Sequence, residues 1–477
     1  MPRYKTERSM NPRLLVGKTF LILAFLFVLL PSSFKLNAKP NIILIMADDI
    51  GYGDLGCYGQ EKIRTPHIDA LADHGTRFTQ AYAGGCVCTA SRSVLMTGLH
   101  NGHTPARDNV PHFVSYLDND DITLAEVLSD ADYRCGGVGK WSLGAPGSSG
   151  SATNQGFDMW FGYMDQDHAH YYYPEYLDDS EAPNGRLELP GNSKTRKRYS
   201  HDLLAERALK FIRESQDRPF FLYGAFTLAH FSSRTEDPDR LAIPSIEPYA
   251  DTDWSEPAKK YASMVTLLDR DIGRIVDLVD ELGISENTLI LFTSDNGPWE
   301  GLTDEFNSSG PLRGGKRSLH EGGIRVPFIA SWPGRIPEAT QSSEILTFWD
   351  LLPTLAEMGG ANTPDGLDGI SKMPALLGRK QTAIHKYLYW DYGHNRASYH
   401  QAIRMDRWKG IRKGQDRPIE LYDLQTDLGE TKDLASAYPQ IVQSLANLME
   451  KVVVPSDRYP VGERYRGSPV WNASDHW

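Results

Sequence analysis

Asn41-Ile42-Ile43-Leu44-Ile45-Met46-Ala47-Asp48-Asp49 is a continuous apolar run that stops on two carboxylates. A run without polar alternation marks a strand buried on both faces, as in a parallel sheet covered by helices. The Gly-rich stretch Gly51-Tyr52-Gly53-Asp54 follows at once. A second run, Thr288-Leu289-Ile290-Leu291-Phe292-Thr293, ends in Ser294-Asp295-Asn296-Gly297, and Pro219-Phe220-Phe221-Leu222-Tyr223 predicts a third strand. Between them, His201 to Glu214 and Glu256 to Leu282 carry apolar residues at helical spacing, among them Leu204, Ala208, Phe211 and Ile212. Strands alternating with helices predict an α/β fold with a largely parallel sheet, whose ligands gather at the carboxyl ends of the strands.

Neighbouring parallel strands would bring Asp48, Asp49, Asp295 and Asn296 to one edge of that sheet. Three carboxylates converging there repel one another unless a cation sits among them. Oxygen ligands with no histidine or cysteine cluster favour Ca²⁺ or Mg²⁺ over Zn²⁺. Each acidic segment alone reads equally well as a turn. Both together, with Cys88, favour the metal.

Cys88-Thr89-Ala90-Ser91-Arg92-Ser93-Val94-Leu95-Met96-Thr97-Gly98 sets an arginine four residues after a cysteine and closes on Thr-Gly. A helix is expected from Ser91 to Met96, ended by Gly98, and its N-terminus would favour an anion beside Cys88. Further stretches follow in order: Gly139-Lys140-Trp141-Ser142-Leu143-Gly144, Ala225-Phe226-Thr227-Leu228-Ala229-His230, and Gly314-Gly315-Lys316 leading into Glu321-Gly322-Gly323-Ile324-Arg325-Val326-Pro327. Near the C-terminus stand Glu420-Leu421-Tyr422-Asp423-Leu424, Asp427, Glu430 and Asp433-Leu434-Ala435. With the two acidic strand ends, this ordered set resembles the type I sulfatases of the alkaline-phosphatase-like superfamily.

The resemblance implies a catalytic α/β domain over 39–380 and a small C-terminal α+β domain over 381–477 with an antiparallel sheet. It implies that a maturation enzyme oxidises Cys88 to Cα-formylglycine, whose hydrate is the nucleophile. Asp48, Asp49, Asp295, Asn296 and residue 88 would hold Ca²⁺, with Mg²⁺ as the alternative. Arg92, Lys140 and Lys316 would hold the sulfate oxygens, Asp295 would assist the nucleophile, and His230 would protonate the departing alcohol. Two positions depart from the family. Ala90 replaces a proline that the maturation enzymes read. Ser142 replaces a histidine that takes a proton when sulfate is released, and a serine hydroxyl is a weak base at neutral pH. Slow release, a substitute base or a substrate-shaping role are the three expectations for Ser142.

The substrate is less legible. Asp165-Gln166-Asp167-His168-Ala169-His170-Tyr171-Tyr172-Tyr173-Pro174 is rich in imidazoles and aromatic rings. His168 and His170 either meet a sugar ring or pack beneath a long loop. His394, beside Asn395 and Arg396, is a further candidate for the same cleft. A sulfated carbohydrate is the expected substrate. Hydrolysis of phosphomonoesters or phosphonate esters on the same scaffold, or non-catalytic binding of sulfated glycans, are the alternatives.

Arg3, Lys5, Arg8, Arg13 and Lys18 precede the apolar run Phe20 to Leu30, and Ser32, Ser33 and Ala38 follow, so residues 1–38 read as a signal peptide. The run is shorter than the roughly 18 residues of a membrane span. An exported protein, periplasmic or secreted, with no stable membrane partner is expected. The net charge is −12, and the chain after residue 38 holds 44 Lys/Arg against 61 Asp/Glu. Such a field repels nucleic acids and polyanions, so a sulfated ligand needs a local basic pocket. The dense basic run Lys194-Thr195-Arg196-Lys197-Arg198 reads as a solvated loop. Four cysteines (Cys57, Cys86, Cys88, Cys135) would ordinarily make two disulfides, or at most one if Cys88 is consumed. Tyr387–Trp390, Ala402–Arg404 and Trp408–Ile411 predict short strands, and Ile441 to Val453 a closing helix with Leu445, Leu448 and Val452 on one face.

Overall fold

In the computed structural model the opening run forms strand β1 (Asn41–Ala47), buried along its whole length. Residues 39–109, 114–235, 239–394 and 396–466 are described; the signal-peptide reading of 1–38 and Asn395 lie outside the described residues. Ile42, Leu44 and Met46 share a core with Val94, Leu95 and Leu352. Ile43, Ile45 and Ala47 belong to another, with Leu204, Phe211, Tyr261 and Ile272. Two covered faces explain why β1 shows no alternation.

The large sheet continues through β2 (Thr76–Tyr82), β3 (Arg134–Lys140), β4 (Met159–Tyr163), β5 (Tyr176–Asp179) and β6 (Arg186–Glu188). It also takes in β7 (Phe220–Ala225), β8 (Thr288–Ser294), β9 (Phe328–Ser331) and β10 (Thr340–Thr347). Its order is β10-β2-β9-β8-β1-β7-β3-β4-β5-β6. The central strands β8, β1, β7, β3 and β4 run parallel, while β9 is antiparallel to both neighbours. Helices Ser200–Ser215 and Glu256–Glu281 cover one face, and Cys88–Thr97 and Leu351–Gly359 the other. The α/β class with a mostly parallel mixed sheet is as expected.

Strand β3 escapes a reading by hydrophobicity because three of its seven residues are glycine. A Cβ on Gly137 would lie 2.3 Å from the Trp160 ring, and one on Gly139, at φ +102°, 1.9 Å from the Ala225 carbonyl oxygen. Close backbone approach is what sets Lys140 at the end of this strand. The helix at Cys88 also differs from expectation: it begins at Cys88 itself, and all ten residues are buried. No disulfide forms, since Cys57, Cys86, Cys88 and Cys135 are all free. Residues 194–198 are exposed.

A separate antiparallel sheet contains β11 (Leu388–Tyr392), β12 (His400–Met405), β13 (Trp408–Lys413) and β14 (Ile419–Asp423). Helix Pro439–Met449, shorter than expected, buries Leu445 and Met449 against Tyr389, Ile403 and Leu421; Leu448 is half-buried, and Val452 is buried beyond the helix end.

Buried ions join the small sheet to the large one. Lys409 Nζ of β13 lies 2.9 Å from Glu321 Oε1 and 3.0 Å from Glu430 Oε1. Glu321 also accepts from Tyr82 Oη of β2 at 2.7 Å, and its backbone N–H donates to Glu430 Oε2 at 2.7 Å. Lys409, Glu321 and Glu430 are fully buried. Removing one partner of such a set leaves an uncompensated buried charge. Lys409→Met is expected to lower stability by about 3–5 kcal/mol, read from urea titrations, and adding Glu430→Gln should recover part of the loss. An unchanged midpoint for the single variant would contradict this account.

Candidate active site

Register places the acidic strand ends side by side. Ala47 of β1 pairs with Ser294 of β8, and the Asp295 N–H donates to the Ala47 carbonyl at 3.1 Å. Asp48, Asp49, Asp295 and Asn296 are therefore neighbours, all fully buried. Asp49 takes φ 62°, which turns its carboxylate back over the strand ends, and its N–H donates to Asp295 Oδ1 at 3.2 Å.

Three cations meet the three carboxylates. Lys140 Nζ, from the end of β3, donates to Asp48 Oδ2 at 2.7 Å. Arg92, one turn into the Cys88–Thr97 helix, gives Nε and Nη2 to Asp295 Oδ2 at 3.1 and 2.8 Å and Nη1 to the Lys140 carbonyl at 2.9 Å. Lys316 Nζ lies 2.7 Å from Asp49 Oδ1 and 2.8 Å from Oδ2. Burial would raise the Asp48 carboxyl, but Lys140, His230, Arg92 and Lys316 hold it well below the usual range. Burial pushes Asp49 up to about 6 despite Lys316. Burial would discharge Lys316, yet Asp49 and its neighbours keep it protonated.

Cys88 stands at the centre of this set. Its Sγ lies 3.5 Å from Asp48 Oδ1 and 3.4 Å from Lys316 Nζ. Burial, then Asp295 and Asp48, push its thiol up to about 12. At neutral pH it is a thiol rather than a thiolate, and a thiol is a poor nucleophile. Unmodified Cys88 therefore lacks the reactivity its position suggests.

Ligand atoms of Asp48, Asp49, Cys88 and His230 lie within 4.8 Å of one another. Asn296 gives its Nδ2 to Asp49 Oδ1 at 2.7 Å and to the Gly297 carbonyl, while its Oδ1 is buried without a hydrogen-bond partner among the described residues. A carbonyl oxygen so placed, beside three carboxylates, fits a hard divalent cation.

Above the charges opens a cleft of about 190 Å³, with His230, His170 and Lys316 on its wall. His230 Nε2 lies 3.6 Å from Asp49 Oδ2, and burial and Lys316 depress its pKa well below the usual value. His170 packs edge to face on His230, its Nδ1 accepting from the Ser233 N–H at 3.1 Å. Ser142, at φ 66°, donates to Gln166 Oε1 at 3.1 Å. Two expected substrate contacts do not reach the cleft. His168 is buried between Tyr163 and Tyr176, and His394 is buried with Nε2 3.1 Å from Asp391 Oδ1 and its ring against Tyr399. Both serve packing, because aromatic neighbours enclose them. The cleft instead takes Gln166, Trp299, Arg317 and Arg396, which pattern reading passed over. The signals were present: Trp299 follows the Asp295-Asn296-Gly297 motif, and Arg317 follows Lys316.

The family model described as Sulfatase matches residues 40–361. The chain belongs to the sulfatase family. Its reaction class is sulfuric ester hydrolysis, on an alkaline-phosphatase-like fold. A second model, described as N-sulphoglucosamine sulphohydrolase, C-terminal, matches residues 314–454. Human arylsulfatase A is 31% identical, with 89% of each chain covered. An N-acetylgalactosamine-6-O-sulfatase of Bacteroides thetaiotaomicron is 28% identical, over 87% of this chain and 93% of the relative. The crystal structure of Ps i-CgsB in complex with k-i-k-neocarrahexaose superposes with a TM-score of 0.74 at 29% identity, covering 87% of this chain and 92% of that one.

With a thiol pKa near 12 and no exposed surface, residue 88 holds roughly one thiolate in 10⁵ at pH 7. Native protein carrying the thiol should resist alkylation at Cys88 until unfolded, as read by peptide mass mapping. Rapid native labelling at that position would contradict the burial described here.

Proposed function

We propose that the protein is an exported, periplasmic or secreted sulfatase that hydrolyses sulfate monoesters on carbohydrates, with residue 88 matured to Cα-formylglycine and Ca²⁺ held by Asp48, Asp49, Asp295 and Asn296. The carrying observation is that a cysteine inert as a thiol sits between Asp48 and Lys316, within reach of Arg92's partner Asp295. Export rests on the basic and apolar sequence of residues 1–38; among the described residues no helix is long and apolar enough to cross a membrane. The carbohydrate reading is supported by the aromatic and cationic cleft wall and by the chain's likeness to an N-acetylgalactosamine-6-O-sulfatase and to a structure holding neocarrahexaose.

When present, the matured residue supplies an oxygen nucleophile and the cation supplies added positive charge. The chain's own groups do the rest. Three buried cations balance three buried carboxylates, so a divalent ion leaves a positive surplus suited to an anionic ester. Lys316 and Lys140 would hold sulfate oxygens, and Arg92 fixes Asp295 for proton acceptance. His230, kept neutral by burial and Lys316 in the free protein, regains basicity as an anion enters and gives its Nε2 proton to the leaving oxygen. Chelation is expected to abolish turnover and lower Tm, with Ca²⁺ restoring both. Full activity after rigorous chelation would count against the site.

On matched aryl esters, kcat/KM is expected to favour sulfate over phosphate. The reverse order would assign the cleft to phosphate or phosphonate esters.

Ser142 decides the pace. Its hydroxyl donates to an amide oxygen, and Thr89 Oγ1 shares that acceptor at 3.4 Å. An amide carries no proton onward, so this bond gives Ser142 no route to a carboxylate. On an activated aryl sulfate a burst of alcohol should precede slower steady release. Ser142→His, tolerable at φ 66° because histidine is enriched there, should raise the steady rate, within the ~10²–10⁴-fold typical of general-base assistance. Linear release together with an unchanged rate in the variant would leave Ser142 a shaping role only.

A further inference from the structure

Three arginines line the cleft, and their charges are disposed differently. Arg396 is neutralised by Asp108, with Nε and Nη2 at 2.9 and 2.7 Å from its two oxygens. Arg234 pairs with Asp167. Arg317 meets no carboxylate among the described residues, and its guanidinium lies 5.3 Å from the centre of the Trp299 ring. The side chain is exposed, in a chain whose overall charge is −12.

The backbone sharpens the point. Arg317 takes φ 71°, a region that favours glycine, and its N–H is fixed to the Cys86 carbonyl at 2.9 Å. Glycine would satisfy that backbone better. Trp299 is itself braced by Phe231, stacked at 5.1 Å with 7° between the rings, and Arg240 lies over Phe231. A guanidinium lying over an indole keeps its in-plane N–H groups available for oxygen acceptors, so stacking and anion binding are compatible. Lys316, immediately before it, reaches Cys88.

Resting on the sulfatase reading above, we propose that Arg317, seated on Trp299, binds a second anionic group of the substrate, a sulfate ester or a carboxylate. The preferred substrate is then a saccharide bearing at least two negative groups, one cleaved at residue 88 and one held by Arg317. Trp299 presents an apolar edge to the sugar between them.

The test compares wild type, Arg317→Gln and Arg317→Lys on four esters: an aryl sulfate, a hexosamine with one sulfate, the same sugar with two, and a monosulfated disaccharide containing a uronate. Wild type is expected to prefer one or both doubly charged sugars over the monosulfated one, and which of them separates sulfate from carboxylate. Arg317→Gln should cut that preference roughly 10- to 100-fold, as for loss of a hydrogen bond to a charged group. The loss should fall on KM, and Arg317→Lys should recover part of it. Raised ionic strength should weaken the doubly charged sugars more than the monosulfated one. Equal losses on all four esters, or an unchanged preference, overturn the proposal. Calorimetric binding of the disulfated sugar to unmatured protein separates the two readings. If no ester is turned over, the sulfatase reading falls; weaker binding in Arg317→Gln still upholds the anion site, and equal binding refutes it.

Discussion

Everything in this protein is arranged around one buried electrostatic problem: three carboxylates and three cations share a site closed to water. Lys140, His230, Arg92 and Lys316 hold Asp48 well below the usual carboxylate range, cations temper the rise that burial imposes on Asp49 and Asp295, and Asp49 with its neighbours keeps Lys316 protonated against burial. Each partner comes from a different element. The β1–β8 register brings the acids together, the Gly-rich β3 delivers Lys140, the Cys88–Thr97 helix delivers Arg92, and the 314–327 segment delivers Lys316. That segment is in turn pinned by Glu321 to Lys409 of the small sheet. A second buried ion network thus supports the first, and it ties the small sheet to the segment that carries Lys316.

The sheet was legible wherever strands are covered on both faces, because β1, β7 and β8 have nothing polar to interrupt them. It was illegible where packing asked for other residues. β3 replaces side chains by glycine so that Trp160 and the β7 backbone can approach, and β10 is largely exposed. The central site followed from strand ends and spacing, since parallel strands must present their carboxyl ends together. The cleft wall did not follow. His168 and His394 carry the right chemistry but are enclosed by tyrosines, while Arg317 and Trp299 sit beside known landmarks in a loop whose course no periodicity encodes. A residue's type shows what it can do; only its neighbours show which way it faces.

The same burial that the opposite charges must offset keeps the central cysteine a thiol. Its thiol is held protonated by desolvation and by the acids around it, where Lys316 and His230 converge on Asp49. This is the observation behind the proposal that residue 88 is converted to formylglycine. Ala90 lies buried in the helix that begins at Cys88, two residues on from it.

The most direct measurement is mass spectrometry of the peptide spanning residue 88, from catalytically active protein made in its native host. The account predicts an aldehyde at position 88 in proportion to specific activity. A fully active preparation carrying only the free thiol would contradict it.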